Sequence, residues 1–236
     1  MRTRRNIFVI LAAVLMPWIA AFESFRATPW SPLFPIQLGF AGALFFVFVP
    51  KDRRSGLLRW NLRGFLSAMG LLLLVSFVLS FIAQFVFSGL MQLPVAQWDY
   101  MAYFKQIYPD MTKKFGVTGS DLLMFLFLVV MAPVCEELFY RGVFWETFSS
   151  TSRRLMYLGS SFFFALRHDS QLTYFWPNYP IWVATFYFII TFISGLIFMR
   201  AREKTGSLLP GMVAHAGINL ILLTLALLSF KSIITL

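Results

Sequence analysis

Apolar and polar positions fall along this chain in long blocks rather than in short alternation. Apolar runs cover Asn6–Phe22, Leu33–Val49, Phe65–Met91, a segment from Ser120 to about Ser149, Leu155–Leu166, Ile181–Met199 and Leu208–Phe230. The longer ones match the roughly 20 residues an α-helix needs to cross a bilayer at about 1.5 Å per residue. The expected fold class is all-α, a polytopic integral membrane protein of about seven transmembrane helices with its N-terminus cytoplasmic; eight spans is the alternative count. Punctuation between the blocks is clear. Pro32 and Pro50 bracket the second run, and a basic loop follows with Lys51, Arg53, Arg54, Arg59 and Arg63. Gln92–Gly119 is the longest polar connection. Trp98, Tyr100, Tyr103, Phe104 and Tyr108 mark it as an interfacial segment, with a short helix stopped at Pro109. Ser120-Asp121 reads as an N-cap pair, Arg167-His168-Asp169 as the end of the fifth segment, Gly206 as a turn, and Pro210 as a tolerated first-turn proline.

Composition sharpens this picture. The 236 residues are 59% hydrophobic and only 13% charged, about half the charge of a soluble domain. The net charge of +10 would suit nucleic acid, but the basic residues lie between apolar runs and form no separate basic region, so the lipid bilayer is the expected partner and nucleic acid is not. With the N-terminus inside, most Lys and Arg fall in cytoplasmic segments, as the positive-inside rule requires. Three arginines precede the first run, as in a signal peptide, but because more spans follow it reads as a signal anchor rather than a cleaved segment. Residues 1–236 form a single membrane domain by this reading. The one cysteine, Cys135, has apolar and acidic neighbours, which disfavour a thiolate; it reads as a packing residue.

The chemistry concentrates in Met131–Arg141. Glu136 and Glu137 stand roughly 20 Å into an apolar run, where a carboxylate costs about 2.5–3.5 kcal/mol to insert. Arg141 follows Glu137 by one helical turn and shares its face, so the two pair. Glu136 points about 100° away and is expected to be free, which suggests one supporting and one reactive carboxylate. The chain has two histidines. His168 ends the fifth segment, and His215 lies in the seventh with Asn219 one turn on. Counted from the helix ends, Glu136, His168, His215 and Asn219 reach similar depths. Glu plus two His could bind zinc, but no His-Glu-x-x-His helix is present. The alternative is metal-free: a glutamate as general base on water, a histidine orienting that water, and a second histidine with an Asn amide at the oxyanion.

Glu136-Glu137-x-x-x-Arg141, Phe164-x-x-x-His168 and His215-x-x-x-Asn219, in this order, resemble the signature of the CPBP family of intramembrane proteases, which includes the CAAX prenyl endopeptidases and bacteriocin-processing proteins. Glu203–Pro210 resembles the family's approach to its last motif. The resemblance covers about residues 121–225, the core; residues 1–120 match only as additional spans and an interfacial segment. It implies a glutamic-type intramembrane endopeptidase without a cofactor, zinc being the less favoured alternative. Its base would be Glu136, with His168 as partner, His215 and Asn219 at the oxyanion, Glu137 and Arg141 as support, and Phe164 packed beside His168. The implied substrate is a membrane-associated or lipidated protein or peptide, and the implied location a bacterial inner membrane. Two other classes compete: a non-catalytic immunity or chaperone protein of the same fold, and a proton-coupled transporter, which should show broken helices or repeat symmetry.

Overall fold

The computed structural model describes residues 6–15, 33–92, 100–148, 150, 152–175 and 181–234. Among these every regular element is helical. The helices are α1 (Asn6–Leu15), α2 (Leu33–Phe48), α3 (Lys51–Leu57), α4 (Leu62–Ala83), α5 (Tyr100–Met124), α6 (Ala132–Glu137), α7 (Phe144–Phe148), α8 (Arg153–Phe175), α9 (Ile181–Thr205) and α10 (Leu209–Ile234). Among the described residues, four stretches are long and apolar enough to span a membrane: Leu62–Leu90, Met111–Phe148, Ile181–Thr205 and Leu209–Leu228. That is fewer than the expected seven. The helices α1 and α2 are shorter as described, and α8 carries too much charge. The second half of the first apolar run, with Trp98 and Ser149, lies outside the described residues.

Several local expectations need correction. The basic stretch after Pro50 is not all loop but contains α3. Pro109 does not stop a helix: α5 passes through it and breaks at Gly116, where φ 70° and ψ 169° form a conformation open to glycine almost alone. Ser120 does not cap. Its hydroxyl donates back to Gly116 O at 2.7 Å, while Asp121 accepts from the Tyr108 hydroxyl at 2.7 Å and ties the two halves of α5 together. The fifth segment runs on past its charged trio to Phe175. The turn at Gly206 is as expected, with φ 67°. It is held by Leu208 N–H donating to Leu57 O at 2.7 Å and by the Ser207 hydroxyl at 2.9 Å from the same carbonyl.

The central element is the run Met111–Phe148. Two of its turns, Phe125–Met131 and Leu138–Val143, are widened to a π-type spacing, with Ala132 N–H reaching Phe127 O and Phe144 N–H reaching Phe139 O. The first lies just before Pro133, whose ring lacks an N–H and crowds the carbonyl four residues back; a wider turn relieves both. Helix α2 packs on one side of this run, where Gly142 admits the Phe45 ring and Cys135 meets Gly42. Helices α8, α9 and α10 close the other side. Large apolar residues of α4 such as Leu66, Leu74, Phe77 and Phe81 remain exposed, as lipid-facing positions are, while the core gathers around Phe139, Tyr140, Phe164 and Phe198.

Between α8 and α9 the approach is set by small residues, the usual means of close helix contact in lipid. A Cβ on Gly195 would lie 2.9 Å from Ser161 Cβ and 3.0 Å from its Cα. Gly195→Ala should therefore force the helices apart and cost about 1–3 kcal/mol, the usual range for overpacking. Gly70→Ala, where a Cβ meets nothing within 4 Å, should be neutral or stabilising because alanine favours the helix. Thermal unfolding of both variants in detergent checks this; equal melting temperatures would mean that the α8–α9 contact is slack.

Candidate active site

Two buried carboxylates need compensation, and the fold supplies it from different helices. Glu137 receives its cation from its own run: Arg141 Nη1 donates to Glu137 Oε1 at 3.2 Å, the turn-apart pairing expected from sequence. The other guanidinium arm, Nη2, donates to Gly195 O at 3.2 Å on α9. The guanidinium plane lies over the Phe164 ring at 4.2 Å, with Phe198 at 5.1 Å. These are cation–π contacts that a weakly hydrated Arg makes well where water is excluded. Arg141 and Glu137 are each about 1% exposed.

Glu136 is not free, contrary to the helical-wheel expectation. Arg167 Nη1 from α8 lies 2.7 Å from Glu136 Oε1, and both side chains are 3% exposed. A helical wheel relates partners on one helix only, whereas this cation comes from across the interface with α8. Arg167 is the residue that motif reading missed. Its signal was present: two carboxylates sunk in an apolar run need two cations, and after Arg141 the arginine that closes the next apolar block is Arg167.

The other oxygen of Glu136 faces the histidines. Oε2 lies 3.7 Å from His168 Nε2 and 4.0 Å from His215 Nε2, and it is buried with no hydrogen-bond partner among the described residues. His168 is held from behind by the Phe164 carbonyl, 2.8 Å from Nδ1, and its ring packs on the Phe164 ring at 4.4 Å. His215 is held by Glu137 Oε1, 3.2 Å from Nδ1, and stacks on Phe198 at 4.9 Å. Of the trio His168 is the most open, with 22% of its side chain exposed. Glu136, His168 and His215 each offer one donor atom, all within 4.8 Å of one another, a set that a single metal ion could share. Asn219 is set apart from them: its Nδ2 donates to Leu128 O at 2.8 Å.

The coupling of Glu137 and Arg141 is measurable. Removing one partner of a buried pair strands the other charge and typically costs about 3–5 kcal/mol. Arg141→Ala and Glu137→Ala should each lower stability on that scale. The double variant should lose much less than their sum, because residues in one network are not additive. Thermal unfolding of the four proteins in detergent checks it; strict additivity would mean that the pair is not coupled.

The comparisons with known proteins bear on the same stretch. No curated protein and no solved structure matches the chain. Residues 118–221 match the family model described as Type II CAAX prenyl endopeptidase Rce1-like, in agreement with the resemblance carried by the three motifs. The stretch that holds both glutamates and both histidines is thus similar to the Rce1-like CAAX prenyl endopeptidase family.

Proposed function

We propose that this protein is an intramembrane endopeptidase that hydrolyses a peptide bond of a membrane-associated or lipidated substrate with water activated by Glu136. The observation that carries this reading is Glu136 Oε2, buried and facing two imidazole nitrogens at 3.7 and 4.0 Å. Such separations are too long for direct hydrogen bonds and suit groups bridged by one water oxygen. Arg167 occupies Oε1 and turns Oε2 toward that position. Glu136 is then the general base and His168 its partner on the water. His215 and Asn219 serve the oxyanion, the Asn219 amide keeping one N–H beyond the one given to Leu128. Glu137 and Arg141 hold His215 and the α9 contact in place. The protein is membrane-integral, and a seven-span topology with a cytoplasmic N-terminus in a bacterial inner membrane remains part of this proposal.

Glu136→Gln keeps the shape and removes the base, so turnover should fall at least about a hundredfold, the scale of general-base loss. Membrane proteins that accumulate uncleaved in cells carrying this variant supply the substrate for the purified enzyme. Near-normal cleavage by the variant would overturn the mechanism. The same three donors suit zinc, so metal is tested separately. A glutamic enzyme should keep its activity and melting temperature through chelation, whereas a metallopeptidase should lose both and regain them with added zinc.

A further inference from the structure

Both histidines of the site spend Nδ1 on groups that only accept. His168 Nδ1 lies 2.8 Å from the backbone carbonyl of Phe164. His215 Nδ1 lies 3.2 Å from Glu137 Oε1, the oxygen that also accepts from Arg141 Nη1. A neutral imidazole has a single N–H, and the hydrogen bond made by one nitrogen decides where it sits. The structure assigns the Nδ1–H tautomer to both His168 and His215, which leaves three acceptors facing one another: the two Nε2 lone pairs and Glu136 Oε2.

Among the described residues, Glu136 Oε2 has no hydrogen-bond partner. Arg167 is directed at Glu136 Oε1, and Arg141 at Glu137 and the Gly195 carbonyl. The Asn219 amide is directed at Leu128 O. An occupant must therefore bring hydrogens or positive charge. A water brings two hydrogens for three acceptors, so the third acceptor is the natural receiver of a proton. Neither neutral histidine can donate from Nε2.

The consequence for catalysis rests on the hydrolytic reading above. As the water oxygen bonds to the carbonyl carbon, its proton goes to Glu136 Oε2 and on to His215 Nε2. The other water hydrogen stays on the oxygen. The new Nε2–H is the donor the oxyanion needs, so this donor is made by the first proton transfer rather than held ready. The resulting imidazolium is balanced by Glu137 on its Nδ1 side, whereas the His168 Nδ1–H meets only a neutral carbonyl; this selects His215. When the C–N bond breaks, the same proton passes to the amine nitrogen and the site returns to its starting state. Glu137 is thus a positioning residue that acts through His215.

The test uses the fact that the chain has only two histidines. The full-length protein, labelled with 15N-histidine and purified in detergent, is examined by long-range 15N–1H correlation at about pH 8, above the ordinary histidine range. Both rings should show Nδ1 protonated and Nε2 bare. In Glu137→Ala the His215 ring should lose this preference and carry its hydrogen on Nε2, while the His168 ring stays unchanged. An Nε2–H tautomer or a doubly protonated ring at either histidine of the wild type would overturn the assignment, whether or not the variant folds. Failure of the hydrolytic reading is distinguishable. Normal cleavage by Glu136→Gln would remove the reaction but leave the tautomers as assigned.

Discussion

The rest of the structure depends on holding two adjacent glutamates away from water. An uncompensated charge in such a place is prohibitively costly, and the pair is tolerated only with excellent geometry and further hydrogen bonds. The first cation, Arg141, is local. Its second arm needs an acceptor, which is the carbonyl of Gly195 on α9. That carbonyl sits where α8 and α9 come close, and they come close because Ser161 faces a residue without a side chain. The second cation, Arg167, arrives from α8 and brings His168 with it as its chain neighbour. Compensating the charges and assembling the chemical groups are therefore one structural event. The aromatic surround of Phe164, Phe198 and Tyr140 excludes water and supplies the ring faces on which Arg141 rests.

One end of the bundle is fastened by a second set of polar contacts. Glu146 of α7 accepts from Arg53 of α3 at 2.8 Å and faces Arg202 of α9 at 3.7 Å, and Arg202 lies against the Trp145 ring. Glu203 accepts from Arg153 Nε and Nη2 at 2.6 Å each and from the Tyr157 hydroxyl at 2.7 Å, joining α8 to α9. The Arg153 pair is exposed and contributes little by itself. Glu146 and Arg202, at 8% exposure each, are better shielded from screening. Together with the pinned Gly206 turn these contacts fix the helix ends from which the depths of Glu136, His168 and His215 are measured.

Much of this was legible from residue order. The helical class follows from the lengths of the apolar runs. The Glu137–Arg141 pair follows from i, i+4 spacing, and the meeting of Glu136 with both histidines from matching depths along three helices. Other features resisted for identifiable reasons. Arg167 was hidden because a charged trio looks like the end of a span, and only packing shows that α8 continues past it. The break at Gly116 rather than at Pro109 was hidden because a proline announces a break by its missing N–H and its bulk, whereas a glycine with positive φ leaves no trace beyond its own name. Asn219 shares a helical face with His215 by spacing, yet its amide reaches Leu128, since a turn along α10 carries it to a different neighbour.

The two widened turns on either side of α6 make residue count a structural variable. Each holds one residue more than an α-helical turn would, and so advances the phase of everything beyond it by roughly 100°. The six residues Ala132–Glu137 are thereby oriented independently of the helix on both sides. Their aim is encoded in the length of the segment as much as in its composition. Deleting one residue from Phe125–Met131 would let that turn relax to ordinary helix without losing any apolar contact type. It would also swing the glutamates away from α8 and α10. A substitution in Phe125–Met131 preserves the phase, whereas a single deletion there does not.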